Sequence, residues 1–425
     1  MELLVEIEEY GKIIPVGHIF GNNASNMQFE YFHEYISSGH KGISISLSVE
    51  KKVFSFDETR NYFDGLLPEG FTRKNVASMI GVDEKDYIGI LSTLGKECLG
   101  AIRITDAQHT DHGKPSYEKL EINQIENIAA EGAGAATDFI VKSHLSLTGA
   151  SGKVGLYLDA KNNDWYLPRG SAPSTHIVKQ SHVRLQGIVT NEQLALRTAQ
   201  KLGIDVAESF IINTGDNKDS EILLATKRFD RTINDKSKII NKMPAPFRLH
   251  QEDFAQALGI SSMEKYENYN GNYLNQMFDV LKKYSSNPIE DKLKLWDVIV
   301  FNYLIGNTDG HIKNFSLLYS EDMNSVRLAP AYDLISTIVY ESNTHNMAFS
   351  IGNETLIDKI SREHFKKSAY DAGISEQMAL ERFDMLSERF VDALTESAKE
   401  IAEMGFENAV DLQRRILDMN ALYLH

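Results

Sequence analysis

At 425 residues with a formal net charge of −16, the chain is long enough for two or three domains with separate cores. Its acidity argues against strong nucleic-acid binding by the chain as a whole, because phosphate backbones attract clustered Lys and Arg. Hydrophobic residues at 42% and charged residues at 24% exclude disordered, collagen-like and disulfide-scaffold classes. The single cysteine, Cys98, cannot close an internal disulfide, which fits a reducing compartment. No apolar run approaches the roughly 18 residues that span a bilayer. The opening Met1-Glu2-Leu3-Leu4-Val5-Glu6 is acidic and lacks the basic start of a secretory signal. The expectation is a soluble, cytoplasmic protein with no membrane segment.

In chain order, residues 1–105 read as a β-rich domain. Strands are expected at 3–8, 13–19, 43–47 and 101–105, with a helical stretch at 69–79 after Phe63-Asp64-Gly65-Leu66-Leu67-Pro68. The polar stretch 106–116 reads as a linker. His109 and His112 within it have a metal-compatible spacing but no companion ligand nearby, so they read as solvated loop. Val154, Leu156 and Leu158 alternate with Gly155, Tyr157 and Asp159, the period of a half-buried strand. Further strands are expected at 165–167, 175–179, 209–213 and 221–226. Thr190-Asn191-Glu192-Gln193 reads as a capping box opening a helix that runs to Leu202 and stops at Gly203.

Beyond Arg248 the chain turns helical. Residues 293–305 are apolar on nearly every face, as in a buried central helix. A loop at 306–314, strands at 315–319 and 325–328, and helices only from 357 onward complete the reading. The domains expected are 1–105, 106–243 and 244–425. The fold class is α+β, a small strand-rich lobe joined to a helical lobe, in the outline of a kinase.

The most informative phrase is Asn307-Thr308-Asp309-Gly310-His311-Ile312-Lys313-Asn314. Phosphoryl transfer needs a carboxylate beside the acceptor hydroxyl and an amide oxygen on Mg²⁺. Kinases place both on one loop in the order Asp, four residues, Asn. Asp309 and Asn314 have that spacing, although Asn-Thr-Asp-Gly also reads as a plain turn. Asp333 follows across the expected hairpin in Ala331-Tyr332-Asp333-Leu334-Ile335-Ser336 and suits Mg²⁺ bridging the phosphates of ATP. It equally suits a helix cap.

Lys179 ends a strand, where its ammonium would reach phosphate, and Glu192 stands where a helix Glu pairs with it. The alternative is an exposed Lys and a Glu favoured by the helix dipole. Thr148, Gly149, Ala150, Ser151, Gly152 and Lys153 form a glycine loop between two strands. Its backbone N–H groups would wrap phosphates. A simple hairpin turn is the other reading, and the phrase is not a Walker A sequence.

Together these phrases resemble the HipA family, the kinase toxins of bacterial toxin–antitoxin modules. The resemblance runs through residues 63–68, 100–101, 146–153, 175–179, 191–192, 228–231, 248–253, 307–316 and 328–336. It implies a fold like protein and phosphoinositide kinases and a protein serine/threonine kinase using ATP and Mg²⁺. Asp309 would accept the proton and His311 would support the transferring phosphate. Asn314 and Asp333 would hold the metal. Residues 148–153 and Lys179 would contact phosphate. Lys227, Arg228 and Phe229 would form the hinge against adenine, with Tyr332 also in the nucleotide site, and Ser146 would be a self-inactivating autophosphorylation site.

The implied partners are a HipB-like helix-turn-helix antitoxin and, as substrate, an aminoacyl-tRNA synthetase or another translation protein. DNA would be reached only through the antitoxin. Three departures stand out. Ser151 and Gly152 replace the family's usual Gln and Glu, Lys227 replaces an acid, and residues 352–359 lack the expected basic patch. A lipid or small-molecule kinase of the same fold, and a corepressor working through an antitoxin, are the alternative functions.

Overall fold

The computed structural model describes residues 2–23, 25–106, 114–131, 137, 140–141, 152–181, 185–268, 271–341 and 344–423. The chain divides into two compact units. The first comprises residues 1–181, 212–262 and 318–325, and the second comprises 182–211, 263–317 and 326–425. The first unit thus joins the expected amino-terminal domain to most of the strand-rich lobe.

Two antiparallel sheets organise the first unit. In one, the order is Val53–Phe54, Gln28–Tyr31, Lys12–Phe20, Glu2–Glu9, Ile102–Asp106. Leu3, Val5 and Ile7 alternate along its second-longest strand and are fully buried, the pattern of a sheet with one face on the core. The other sheet places Ile222–Lys227, His176–Gln180, Lys153–Asp159, Asp164–Arg169 and Ser116–Lys119 side by side. Its register sets Lys153 directly opposite Lys179, and Lys179 opposite Leu224.

Residues 43–47 are not a strand. Their backbone groups are satisfied by buried side chains, so no ladder is needed. Tyr31 Oη accepts from the Ile43 N–H (2.9 Å), His250 Nε2 meets the Ile43 carbonyl (2.8 Å), and Glu252 accepts from the Ile45 N–H (3.1 Å). The first hundred residues also hold the helices Phe56–Phe63, Gly70–Ile80 and Tyr87–Leu94, more than their β-rich reading allowed. Phe56–Phe63 opens on a capping box between Ser55 and Glu58.

The second unit is built on the helix Pro288–Ile305, buried continuously from Leu295 to Ile305. Trp296 stands edge-on to Phe278 and Phe365, and its indole N–H donates to the Ala379 carbonyl (3.1 Å). Asp291, fully buried near the start of this helix, accepts two bonds from Arg327 Nε and one from the Leu328 N–H. The helices Arg362–Asp371, Glu376–Glu403 and Asn408–Tyr423 close the chain, preceded by the hairpin Asn346–Ile351 and Glu354–Leu356.

The helix expected to be capped by Thr190 starts earlier, at Ile188, after Gly187 at φ +76°. Thr190 is inside it and fully buried, its hydroxyl accepting from Asn408 (3.0 Å). Glycine in the left-handed conformation suits this start at little steric cost. Among the described residues no helix is long and apolar enough to cross a membrane.

Candidate active site

The loop after the central helix is held from several sides. Gly306 ends the helix at φ +74°, and its carbonyl accepts from the N–H groups of Thr337 (2.9 Å) and Ile338 (3.2 Å). Thr308 donates its N–H to the Thr337 hydroxyl (2.7 Å). Asn307 is buried, bonds to Asn302 through backbone and side chain, and accepts the Asp309 N–H (3.1 Å). A Cβ at Gly310 would lie 2.9 Å from the Asn302 amide nitrogen, so the loop folds tightly onto the helix end there.

This framework presents Asp309 to solvent. The Asn314 side-chain amide donates from Nδ2 to the Asp309 carbonyl (2.9 Å), and its own N–H donates to the His311 carbonyl (2.8 Å). With Nδ2 committed inward, Oδ1 of Asn314 is turned the other way as an acceptor. A short 3-10 turn at Ile312–Asn314 closes the loop that carries Asp309 and Asn314. Most of these bonds hold the loop backbone, through Gly306, Thr308 and the Asp309 N–H.

Asp333 has φ +56°, a conformation that Asp tolerates better than most residues but that still costs energy. Residues 332–337 form no helix, so Asp333 is not a helix cap. Both flanks of the segment are clamped. Ala331 exchanges backbone bonds with Asp205 (2.8 Å) and Ala207 (2.9 Å), and the buried Asn191 donates to the Ser336 carbonyl and accepts its N–H, both at 2.9 Å. The Tyr332 hydroxyl donates to the Lys313 carbonyl (2.9 Å) and meets Ser316 Oγ (2.6 Å). It therefore braces the Asp333 segment against the Asn314 loop.

Reading the sequence gave Asn191 no role of its own, although its place beside Glu192 marked it. A further contact was missed entirely. The Tyr266 phenol donates to Oδ1 of Asp309, and its ring is edge-on to that of the buried His311 at 5.2 Å. Among the described residues no cluster of three or more His, Cys, Asp or Glu could hold a metal ion. A metal here would draw on Asn314 and Asp333 with phosphate oxygens completing the shell, the arrangement hard cations accept.

In the first unit, Lys179 is buried to 9% exposure in the middle of its sheet, with Lys153 opposite it on the neighbouring strand. Glu192, in the second unit, is also buried. Of the three residues expected to form the hinge, Lys227 ends the strand Ile222–Lys227 and Arg228 and Phe229 follow it. Lys227 is exposed and Phe229 half-buried, and the Arg228 N–H donates to the Thr175 carbonyl (2.9 Å).

The Arg228 guanidinium points into a buried ion cluster. It bonds Asp230 (2.7 and 2.9 Å), Ser174 (3.0 Å) and the Cys98 carbonyl (3.0 Å). Glu97 at the centre also takes Arg231 (2.9 Å) and Arg248 (2.9 Å), and Arg248 reaches Glu8 (2.9 Å). Burial pushes the Glu97 carboxyl up, but Arg248, Arg231 and Arg228 outweigh it and hold it at about 2. Only the backbone of Arg228 is left to meet a nucleotide. Ser146, Thr148, Gly149, Ala150, Ser151, His109 and His112 lie outside the described residues.

Two family models match the chain, the HipA N-terminal domain over residues 10–105 and the HipA-like C-terminal domain over residues 145–394. A putative kinase of Sinorhizobium fredii, Y4mE, is 28% identical over 401 residues, 93% of this chain and 92% of the relative. The serine/threonine-protein kinase toxin HipA of Shewanella oneidensis is 26% identical over 354 residues, 78% of this chain and 75% of that one. Among solved structures, the complex of Shewanella oneidensis HipA with HipB and operator DNA contains a chain of the same fold. The TM-score is 0.78 at 21% identity, covering 97% of this chain and 96% of that one.

Proposed function

This chain belongs to the HipA family, and we propose that it is a protein serine/threonine kinase of the toxin type that transfers the γ-phosphate of Mg-ATP. The observation that carries the reading is the Asp309–Asn314 loop, where the Asn314 side-chain amide donates to the Asp309 backbone carbonyl and leaves its Oδ1 as an acceptor beside the Asp309 carboxylate. Asp309 takes the proton of the acceptor hydroxyl as the oxygen attacks phosphorus. His311, two residues on, would support the transferring phosphate. Mg²⁺ held by Asn314 and Asp333 would neutralise the charge building on the phosphate oxygens. Lys153 and Lys179, directly opposite each other, form a cation pair that gains when an anionic polyphosphate lies against both. The backbone of Lys227, Arg228 and Phe229 would meet adenine, and Tyr332 braces the Asp333 segment through the Lys313 carbonyl.

The partner in this reading is a HipB-like antitoxin, through which alone the chain reaches DNA. The substrate is a translation protein such as an aminoacyl-tRNA synthetase, and the compartment is the cytoplasm. Ser146, between Leu145 and Leu147, is the self-inactivation site. A phosphate there would add about −1.5 to −2 charges and three acceptor oxygens between two leucines, which in this reading ends ATP binding. Phosphate mapping after incubation with Mg-ATP should find Ser146 modified, with Ser146→Ala active and Ser146→Asp poor at binding ATP. An unmodified Ser146 in a protein that phosphorylates its target would remove the site.

The kinase reading itself is tested with radiolabelled ATP and cell lysate. The wild type should label a discrete protein band and Asp309→Asn should label none. Label confined to a lipid fraction would instead favour a lipid kinase of the same fold.

A further inference from the structure

Tyr266 lies just ahead of the helix Tyr273–Tyr284, in a segment that is tied down on both sides. The Glu267 N–H donates to the Ala348 carbonyl (2.8 Å), and the Glu267 carboxylate accepts the N–H groups of Tyr273 and Ser350, both at 2.7 Å. The Tyr273 hydroxyl donates to the Glu264 carbonyl (2.7 Å). One carboxylate therefore joins a strand and a helix start to the residue next to Tyr266. From this fixed position the phenol O–H reaches Oδ1 of Asp309 and the ring stands at 83° to His311.

The Tyr266 side chain remains 46% exposed, so apolar burial contributes little to holding it there. The hydrogen bond from a hydroxyl to an ionised carboxylate is about twice as strong as a neutral one, and it joins the ring contacts with His311 and Lys265 in holding the phenol at Asp309. A general base must first accept a hydrogen bond from the hydroxyl whose proton it removes. Tyr266 already makes that bond.

We propose that Tyr266 is an intramolecular stand-in for the acceptor. Its phenol occupies the acceptor-hydroxyl subsite at Asp309, and a protein substrate enters by displacing it with a serine or threonine hydroxyl. Water must displace it too, so the stand-in also limits futile ATP hydrolysis. The inference rests on Asp309 being the base. A tyrosine that merely braced Asp309 would have the opposite effect when altered, because losing a brace slows the reaction.

The test measures ADP release by the full-length protein with Mg-ATP and no protein acceptor, comparing wild type, Tyr266→Phe, Asp309→Asn and the double variant. Tyr266→Phe keeps the ring and removes only the competing hydroxyl. It should raise hydrolysis about tenfold or more, the low end for a hydrogen bond to a charged group, with KM for ATP unchanged. Asp309→Asn and the double variant should be inactive. If Asp309→Asn is inactive but Tyr266→Phe is unchanged or slower than wild type, the base stands and the stand-in is wrong. If Asp309→Asn hydrolyses ATP normally, the reading of the base fails and the stand-in fails with it.

Discussion

Asp333 places the carboxylate proposed to hold Mg²⁺ on backbone at φ +56°, and that fact separates two kinds of substitution. Asn tolerates the left-handed region as Asp does, so Asp333→Asn removes charge without adding backbone strain. It should weaken Mg-dependent ATP binding in calorimetry while leaving the thermal midpoint within a few degrees of wild type. Asp333→Val places a β-branched side chain in a conformation that costs it about 1–3 kcal/mol, and should lower the midpoint as well. The bond between Asn314 and the Asp309 carbonyl joins two residues of a loop that was legible in the sequence because their spacing is local. Tyr266 was not, because its contact spans 43 positions and a lone tyrosine before a helix carries no pattern. Asn191 falls between these cases: its neighbour Glu192 drew attention, but its bonds to Ser336 cross 145 positions.

At the scale of elements, the strand Ile222–Lys227 is buried through Ile222, Leu223, Leu224 and Ala225, and the segment that follows it is fixed by buried charge. Glu97 gathers Arg228, Arg231 and Arg248, all essentially without solvent. Removing one partner of a buried pair leaves uncompensated charge and costs about 3–5 kcal/mol. Glu97→Ala should therefore lower the unfolding free energy in urea by that order, a loss that a surface ion pair such as Lys51–Glu58 would not produce. Glu252 is the opposite case. Burial raises its carboxyl to about 7, against the hydrogen bonds from Ser44, Tyr319 and the Ile45 N–H.

The signs follow from the two directions. Glu97, held near 2, contributes stability that is complete above its ordinary value of 4.5 and lost as pH falls towards 2. Glu252, raised, contributes stability that is complete below 4.5 and lost as pH rises through about 7. Relative to Glu252→Gln, wild-type stability should fall by about 3 kcal/mol between pH 4.5 and 7. Parallel pH profiles for the two proteins would contradict the burial of an ionisable group there.

The same buried polar groups explain the misread element at residues 43–47. Ile43, Ile45 and Leu47 alternate as a strand would, but partners far away in sequence take their backbone bonds. Thr190 misled for a related reason. Its hydroxyl serves Asn408, 218 positions away, rather than the helix start. The capping box at Ser55 and Glu58 was local and readable, and it marks the helix that the β-rich reading passed over. The central helix was legible because continuous burial leaves a continuous apolar run.

For the molecule as a whole, the net charge of −16 sets what it does near a polyanion. Affinity for duplex DNA comes chiefly from Lys and Arg that release counterions from phosphates, and each such contact steepens the dependence on salt. The stretch 352–359, where a basic patch was looked for, carries Glu354 and Asp358 against Lys359 alone. Glu354 is held ionised, its carboxyl pushed down first by the Leu356 N–H and also by the Thr355 N–H, at the tip of the hairpin Asn346–Ile351 and Glu354–Leu356. Asp358 meets His345 (3.0 Å), so any proton on that imidazole is already matched by an acid. Neither the net charge nor this local surface offers phosphate a favourable field. The purified chain should therefore bind a labelled 30-base-pair duplex weakly in fluorescence anisotropy at about 150 mM salt, the concentration at which only short-range contacts survive screening. Its residual affinity should depend only shallowly on salt. Adding a basic helix-turn-helix partner should bring the chain onto the duplex with a steep slope, because the partner then supplies the cations. Tight, steeply salt-dependent binding by the chain alone would mean that a cationic face exists despite the acidic total, and the assignment of DNA contact to the partner would be wrong.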